Sequence, residues 1–198
     1  LMGDTCTRNC GFCGVKKSKN PLPLDPQEPE KIAAAVHELK LQYCVLTSVT
    51  RDDLHDEGIS HYIQTIEAIK KISPETKIEI LTPDFRKNMN KIEPLIHTPI
   101  HVFNHNLETV PRLYPEIRSM ADYQHSLSLL KKVKSIRPSL LLKSGIMVGL
   151  GETESELMIL IDDLVQNKCD IFTVGQYFPP SKKHYKLKEL KQTDFFKK

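Results

Sequence analysis

The sequence lacks any apolar run close to the roughly 20 residues that a helix needs to cross a bilayer. No signal-peptide pattern opens it, and it has no internal repeat, low-complexity segment or dividing linker. Its 198 residues, 39% hydrophobic and 27% charged, are sufficient for one sizeable core. We therefore expect a globular protein of the cytoplasm, or of an organelle matrix if a targeting segment lies upstream of Leu1.

Cysteine is scarce, and three of the five cysteines lie within eight residues. The odd count and this tight group argue against a disulfide framework and for a reducing compartment. Cys6, Cys10 and Cys13 have the spacing Cys-x3-Cys-x2-Cys, and three thiolates can hold a [4Fe–4S] cluster with one iron left open to another ligand. Zinc would need a fourth ligand from a nearby Cys or His pair, which the sequence lacks. A purely structural role is the third interpretation.

The other two cysteines, Cys44 and Cys169, lie beside apolar residues in predicted strands. Free cysteine often behaves as a small buried hydrophobe, and this is the simpler interpretation of both. The alternative is that they act as additional cluster ligands.

Apolar, β-rich runs alternate with helical patterns along most of the chain. Five strands are predicted at 43–48, 77–81, 101–104, 141–148 and 170–177, and residues 1–3 are interpreted as the end of a truncated first strand. Helical patterns lie between them; the first covers about 28–39, and a capping box of Thr153 and Glu156 opens the last. The alternation indicates a parallel sheet with outer helices, either a partial barrel or a doubly wound sheet.

In both architectures ligands bind at the carboxyl ends of the strands, where this sequence is rich in polar residues. Asn104, Asn106 and Glu108 alternate after one predicted strand, so we expect them on one side, where they could hold ribose hydroxyls or simply cap the strand. His105 is expected to be a core histidine on the other side.

Two further strand ends carry candidate groups. Gly149, Gly151 and Glu152 follow a strand, and glycines there allow a flat ligand to approach the backbone, although an ordinary turn is the alternative. Asp52 and its neighbour Asp53 could form an acid–base pair, or could pair with Arg51.

Positive charge is concentrated at the end of the chain. The net charge is +3, but residues 181–198 contain seven lysines against one Asp and one Glu. Such a tail could dock an acidic protein or nucleic acid, or it could simply be solvated. Basic and aromatic residues are not interleaved in the way that favours nucleic-acid binding.

Four separated motifs carry a resemblance to a known family. They are residues 3–13, with Phe12 before the last cysteine of the triplet; residues 47–54; residues 103–111; and residues 175–177 with 180–184. On these motifs the chain resembles the radical S-adenosylmethionine superfamily and, within it, the lipoyl synthases. The resemblance implies an α/β fold, a partial (β/α)6 TIM-like barrel with its first strand truncated. It also implies a core domain over 1–185 and an incomplete basic tail over 186–198.

The resemblance further implies the site. Cys6, Cys10 and Cys13 would hold the cluster, whose open iron chelates S-adenosylmethionine. Because the cofactor carries the radical, no side chain is expected to be catalytic. The residues expected to bind S-adenosylmethionine are Phe12, Ser48, Asn106, Glu108, Arg118, Ser126, Gly149, Gly151 and Glu152. Those expected near the substrate are Asn104, Arg51 and Asp52.

The implied reaction is hydrogen abstraction from C6 and C8 of a protein-bound octanoyl chain by the 5′-deoxyadenosyl radical, followed by sulfur insertion. The implied partners are an octanoylated lipoyl carrier domain or a glycine-cleavage H-type protein, and a reductant such as ferredoxin or flavodoxin. No nucleic acid and no membrane are expected as partners, and we expect a monomer.

The chain also differs from the family pattern. Lipoyl synthases carry a second cysteine triplet upstream and a serine-containing segment near the C-terminus, which bind an auxiliary [4Fe–4S] cluster consumed as the sulfur donor; neither occurs in these 198 residues. We therefore expect the chain as it stands to be a core cut at both ends that cleaves the cofactor but lacks the sulfur source. The alternatives are another sulfur-inserting radical enzyme of the biotin synthase type, or a cofactor-binding remnant without turnover.

Overall fold

The computed structural model describes residues 1–197 and contains two parallel sheets. A small ribbon pairs β1 (Thr5–Cys6) with β2 (Lys16–Lys17). The main sheet has five strands hydrogen-bonded in chain order: β3 (Tyr43–Thr47), β4 (Lys77–Leu81), β5 (Val102–Asn104), β6 (Leu141–Val148) and β7 (Ile171–Gln176). The chain is thus an α/β protein with a parallel sheet of the partial-barrel type.

The five complete strands predicted from the sequence all form, with ends that move by no more than one residue. The expectation for residues 1–3 is wrong, because no strand is assigned there and the described main sheet has five strands instead of six. The segment still lies beside β3, since the Leu1 ammonium donates to the Thr47 carbonyl at 2.6 Å.

Six α-helices occur in the described part of the chain: α1 (Glu28–Glu38), α2 (Ile59–Ile72), α3 (Glu93–Ile96), α4 (Tyr114–Ile117), α5 (Tyr123–Ile136) and α6 (Glu154–Gln166). Short 3-10 turns lie at Met89–Lys91, Pro111–Leu113 and Thr193–Lys197. Within residues 1–197 no helix is long and apolar enough to span a membrane.

Side-chain caps fix the start of two helices. The Thr153 hydroxyl accepts from the Glu156 N–H and the Glu156 carboxylate accepts from the Thr153 N–H, which is the capping box predicted for α6. The Asp122 carboxylate accepts from the His125 N–H at 2.6 Å and opens α5 in the same way. These bonds satisfy N–H groups that the helix itself leaves unpaired.

The core lies between the helices and one face of the sheet. Parallel register aligns Leu46, Ile80, Phe103 and Leu142 across β3 to β6, and all four are buried. Since side chains alternate along a strand, the next row, which includes Thr47 and Leu81, faces the opposite side. That second face and the carboxyl ends of the strands are where a ligand can enter.

Candidate active site

A cavity of about 420 Å³ lies between the cysteine loop and the carboxyl ends of β3 to β5. All three cysteines of the triplet line it, together with five other residues predicted to bind a ligand: Phe12, Ser48, Asn106, Glu108 and Arg118. Thr47, Leu81 and Pro83 complete much of its wall. Strand ends that are distant in sequence therefore contribute to one site.

Short backbone bonds hold the cysteine loop over this cavity. The Gly11 N–H donates to the Ile117 carbonyl at 2.8 Å, and the Thr7 N–H donates to the Thr50 carbonyl at 3.0 Å. The backbone N–H of Arg8 donates to Cys6 Sγ at 3.4 Å. An N–H aimed at sulfur stabilises thiolate character, so the loop already supplies one contact that a metal-bound sulfur favours.

The three thiols are free and partly exposed. Burial raises the pKa of the Cys10 thiol, while the positive charge of Arg118 acts in the opposite direction. A metal ligand must be a thiolate, so metal binding at Cys10 would release a proton.

The donor set fits a multi-iron cluster better than a single ion. Among residues 1–197, no three His, Cys, Asp or Glu side chains converge where one metal ion would sit. Tetrahedral zinc needs four donors around one point, whereas the cysteines of a cubane each bind a different iron. Three sulfurs that line one cavity without converging are compatible with the second arrangement.

A buried arginine inside the cysteine triplet ties the loop to two strand ends. The Arg8 guanidinium donates to both oxygens of Asp84, at 2.7 and 2.6 Å, and to both oxygens of Asp52, at 3.0 and 2.8 Å. Arg8 is 5% exposed, and the Asp84 side chain is 1% exposed. The sequence predicts Asp52 near the substrate and does not reveal the Arg8 clamp, the set formed by Arg8, Asp52 and Asp84.

Asn106 and Glu108 form another part of the cavity wall. The Asn106 Oδ1 atom is buried and has no hydrogen-bond partner. Burial raises the pKa of the Glu108 carboxyl, against the charge of Arg118 and a hydrogen bond from Asn106. The amide oxygen and the carboxylate are both hydrogen-bond acceptors, so together they suit a ligand that brings hydroxyl or N–H donors.

Arg118 links this wall to the cysteines. Its Nη1 atom donates to the Asn106 carbonyl at 3.1 Å and to the Tyr114 hydroxyl at 3.2 Å, and its guanidinium lies over the Tyr114 ring. Neighbouring carboxyl and phenol groups help to raise the pKa of Arg118 despite its burial, so it stays charged. It is therefore a fixed positive charge in a cavity that otherwise has few.

Ser48 and Phe12 contribute to the remaining walls. Ser48 Oγ lies 2.9 Å from the Tyr62 hydroxyl, which donates to the Leu81 carbonyl at 2.7 Å. Phe12 is partly buried against the core and presents its remaining surface to the cavity. Ser48 is thus oriented by a core tyrosine.

The glycine-rich turn after β6 does not line the cavity. The Glu152 carboxylate accepts from the Gly149 and Leu150 N–H groups at 2.7 and 2.9 Å, and the Gly149 carbonyl accepts from the Lys188 N–H at 2.9 Å. Gly151 is exposed at the same turn. Gly149 and Gly151 instead pack against the C-terminal segment around Lys188, and Glu152 binds the backbone of the turn itself.

Ser126 and Asn104 also lie outside the cavity wall. Ser126 is buried, with its Oγ atom 3.1 Å from His105 Nε2, and His105 is a fully buried core histidine, as predicted. Burial lowers the pKa of His105 to about 4. Asn104 donates to Glu79 at 2.9 Å and does not join Asn106 and Glu108, because β5 ends at Asn104 and the expected alternation stops there.

The predicted substrate contacts Arg51 and Asp52 have other partners. Arg51 is 2% exposed and donates to both oxygens of Asp53, at 2.9 and 2.8 Å. Asp52 belongs to the Arg8 clamp and faces a separate surface pocket. The pairing of Arg51 with an aspartate, the simpler of the two interpretations, is what the structure contains.

Comparison with known families gives a consistent result. A model described as the radical SAM superfamily matches residues 1–164. The lipoyl synthases of Alkaliphilus metalliredigens and Caldanaerobacter subterraneus are 49% and 50% identical over 198 residues, which is all of this chain and 68% and 69% of theirs. That of Actinobacillus pleuropneumoniae is 51% identical over 188 residues, 94% of this chain and 57% of the relative.

Two solved structures have a similar fold. SuiB of Streptococcus suis, solved bound to S-adenosylmethionine, superposes with a TM-score of 0.75 at 17% identity, over 98% of this chain and 43% of that one. HydG, a maturase of the [FeFe]-hydrogenase, superposes with a TM-score of 0.69 at 15% identity, over 89% of this chain and 41% of that one. At these identities the similarity concerns the fold alone.

Proposed function

Since the chain belongs to the radical SAM superfamily and, within it, to the lipoyl synthases, we propose that its 420 Å³ cavity binds S-adenosylmethionine beside a cluster held by the cysteine triplet. The family inserts sulfur in lipoate synthesis and uses a [4Fe–4S] cluster and S-adenosylmethionine. The proposal assigns particular residues of this chain to those two groups.

One observation carries the assignment. The three thiols of Cys-x3-Cys-x2-Cys and the unpaired Oδ1 atom of Asn106 belong to residues of the same cavity. A cluster with three protein ligands keeps one iron for an external ligand, and a buried unpaired amide favours a polar ligand close by. Both features point to one small molecule that contacts both the cluster and Asn106.

Charge supports an orientation for that molecule. Arg118 is the fixed cation near Cys10, and a guanidinium holds a carboxylate well, so we assign it to the carboxylate end of S-adenosylmethionine. Asn106 and Glu108 would hold the ribose hydroxyls, and Phe12 would pack beside the adenine. Ser48, held by Tyr62, is a further polar contact.

When bound, the cluster and S-adenosylmethionine supply a 5′-deoxyadenosyl radical, which can abstract hydrogen from an unactivated C–H bond. The side chains of the cavity would bind and orient S-adenosylmethionine and shield it from water. Glu108 accepts hydrogen bonds from hydroxyls, Arg118 fixes the carboxylate, and the apolar parts of Phe12 and Leu81 exclude water. No side chain of the cavity needs to move a proton from the substrate.

Lipoyl synthases act on octanoylated carrier proteins. We assign this chain an octanoyl chain on a lipoyl carrier domain or a glycine-cleavage H-type protein, with hydrogen abstraction at C6 and C8. A low-potential protein such as ferredoxin or flavodoxin would supply the electron. The basic residues of 181–198 are a candidate contact for an acidic carrier.

A second, sulfur-donating cluster is expected for the family, and we propose that the five cysteines of this sequence do not hold it. Cys44 is buried in β3, and Cys169 lies beside the carbonyls of Leu142 and Ile171 near the start of β7. Neither lines the cavity, so one cluster of about four irons per chain is the expected load.

The binding assignment is tested after anaerobic loading of the chain with iron and sulfide. Iron per chain, equilibrium binding of S-adenosylmethionine and 5′-deoxyadenosine formed after reduction are measured on wild type and on Cys10→Ala. The expected result is about four irons, saturable binding and cofactor cleavage in wild type, all lost in the variant. About eight irons per chain would overturn the single-cluster assignment.

The role of Glu108 is tested with a matched pair of carboxyl substitutions. Glu108→Gln should weaken S-adenosylmethionine binding about tenfold, the value of a hydrogen bond to a charged group. Glu93→Gln, on the exposed surface of α3, should bind as wild type does. Equal affinities for the two variants would remove Glu108 from the site, and binding without cleavage in wild type would favour a remnant without turnover.

A further inference from the structure

Gly145 lies in the middle of β6, where the ends of two side chains occupy the space that a Cβ atom would need. A Cβ atom built there would be 2.9 Å from Asn106 Oδ1 and 2.6 Å from Thr173 Oγ1. Both distances are shorter than Cβ contacts in real proteins, so an added Cβ atom would require the Thr173 and Asn106 side chains to move. The space beside the Gly145 Cα atom is therefore occupied by the Asn106 amide together with the Thr173 hydroxyl.

The backbone of Gly145 also holds the next residue of the wall. Its carbonyl accepts from the Glu108 N–H at 3.0 Å, and the Glu108 carbonyl accepts from the Met147 N–H at 2.9 Å. Glu108 forms an isolated parallel bridge with Ile146. Residues 106–108 thus lie beside β6 at Gly145. The Asn106 side chain occupies the space next to the Gly145 Cα atom, and the Glu108 N–H is hydrogen-bonded to the Gly145 carbonyl.

The conformation of Glu108 indicates that this arrangement is constrained. Its φ is +69°, in the left-handed region that a non-glycine residue enters only at a cost. The two bridge hydrogen bonds hold it there, and they turn the Glu108 side chain into the cavity. A shift of Asn106 would therefore be transmitted to Glu108 through a short, strained connection.

We propose that Gly145 is a positioning residue for S-adenosylmethionine: its missing side chain gives the Asn106 amide a fixed place on the cavity wall beside Glu108. Gly145 is not among the residues that line the cavity. The inference rests on the proposed function, because it deepens the assignment of Asn106 and Glu108 to that ligand.

The test compares two glycines of neighbouring strands. Gly145→Ala should weaken S-adenosylmethionine binding about tenfold, the loss of one or two hydrogen bonds, with the iron content per chain unchanged. Gly175→Ala is the matched control in β7, because a Cβ there meets nothing within 4 Å, and it should bind within about twofold of wild type. Binding by Gly145→Ala as tight as by Gly175→Ala overturns the proposal.

A double-mutant cycle separates positioning from a general loss of sheet stability. If Gly145→Ala acts through the amide, it should cost little further affinity in an Asn106→Ala chain, since coupled sites are not additive. The same tenfold loss in that background would show a different cause. The cycle measures only the affinity for S-adenosylmethionine, so a defect in turnover cannot change its result.

The clash with Thr173 is removed by repeating the comparison in a Thr173→Ala chain. The weaker binding should persist there, because the Asn106 contact remains. Failure of Gly145→Ala to fold in both backgrounds would overturn the proposal, since the glycine would then serve the sheet itself. If iron-loaded wild type does not bind S-adenosylmethionine, the proposed function fails; if only the Gly145 comparison fails, the function stands without this inference.

Discussion

Removal of Asp84 tests whether the Arg8 clamp holds the cysteine loop. Asp84→Ala would leave the Arg8 guanidinium, which is 5% exposed, with the carboxylate of Asp52 as its remaining partner. Two charge-assisted bonds of 2.7 and 2.6 Å would be lost between side chains that are both almost fully buried. The guanidinium cannot lose its charge, so the cost falls on the folded state.

The exposure of each aspartate ranks the loss of folding stability expected when it is replaced by alanine. Loss of one partner from a buried ion pair costs about 3–5 kcal/mol, and Asp84, 1% exposed, is such a partner. The Asp52 side chain is 21% exposed, so water can partly replace it, and Asp52→Ala should cost about 1–3 kcal/mol. Asp25→Ala breaks an exposed pair with Lys31 and should cost less than about 1 kcal/mol.

Urea unfolding of the chain without added iron and sulfide measures these differences, because a bound cluster would complicate two-state analysis. With a slope of about 2 kcal/mol per M, Asp84→Ala should lower the midpoint by about 1.5–2.5 M. Iron uptake per chain provides a second readout of the loop. A shift for Asp84→Ala no larger than that for Asp25→Ala, or smaller than that for Asp52→Ala, would refute the reasoning.

The clamp also has a pH signature. Burial raises the pKa of the Asp84 carboxyl, but the hydrogen bonds and charge of Arg8 outweigh it and hold that pKa below its usual value. A carboxyl with a lowered folded-state pKa stabilises fully above its unfolded pKa of about 3.9 and loses this contribution as pH falls through the folded pKa. The gap in stability between wild type and Asp84→Ala should therefore persist at neutral pH and narrow below about pH 4.

Three further predictions follow from individual contacts. Thr153→Ala removes the capping box of α6 and should lower the free energy of unfolding by about 1 kcal/mol, seen as a lower urea midpoint; an unchanged midpoint would contradict it. Burial raises the pKa of Glu108, so S-adenosylmethionine affinity should fall as pH drops through that pKa, and Glu108→Gln should lose this dependence; a retained slope would assign it to another group. Cys169→Ser should bind as much iron as wild type, whereas Cys13→Ser should not; equal losses would show that Cys169 is a ligand.

The strands were predictable because each is a short apolar run between polar turns. The buried Ile78 and Ile80 of β4 and the buried Leu142 of β6 follow from composition and spacing alone. The strand predicted at residues 1–3 is absent because the apolar residue there packs in the core without pairing. Met2 is 2% exposed, although it belongs to no strand. A hydrophobic pattern indicates that residues are buried, but a buried residue need not belong to a strand.

The site was predictable where a motif carries its own geometry. The cysteine triplet, Asn106 and Glu108 line one cavity, and their roles toward a cluster and a ligand stay a prediction. The Arg8 clamp was not predictable, since Arg8 and Asp84 are 76 positions apart and their pairing depends on how the loop folds over the sheet. The available signals were an arginine inside the cysteine triplet and a lone aspartate after a buried strand.

The glycine-rich turn after β6 shows why a motif at a strand end does not specify its occupant. Gly149 has a φ of +93°, and a Cβ there would overlap the Glu189 carbonyl, so another group does approach the backbone closely at this position. The approaching group is the chain itself, since the Gln176 amide donates to the Glu189 carbonyl and accepts from the Lys191 N–H. A glycine-rich turn indicates only that another group packs closely against its backbone. Whether that is a ligand or another segment depends on residues 40 positions later, and local sequence cannot decide between them.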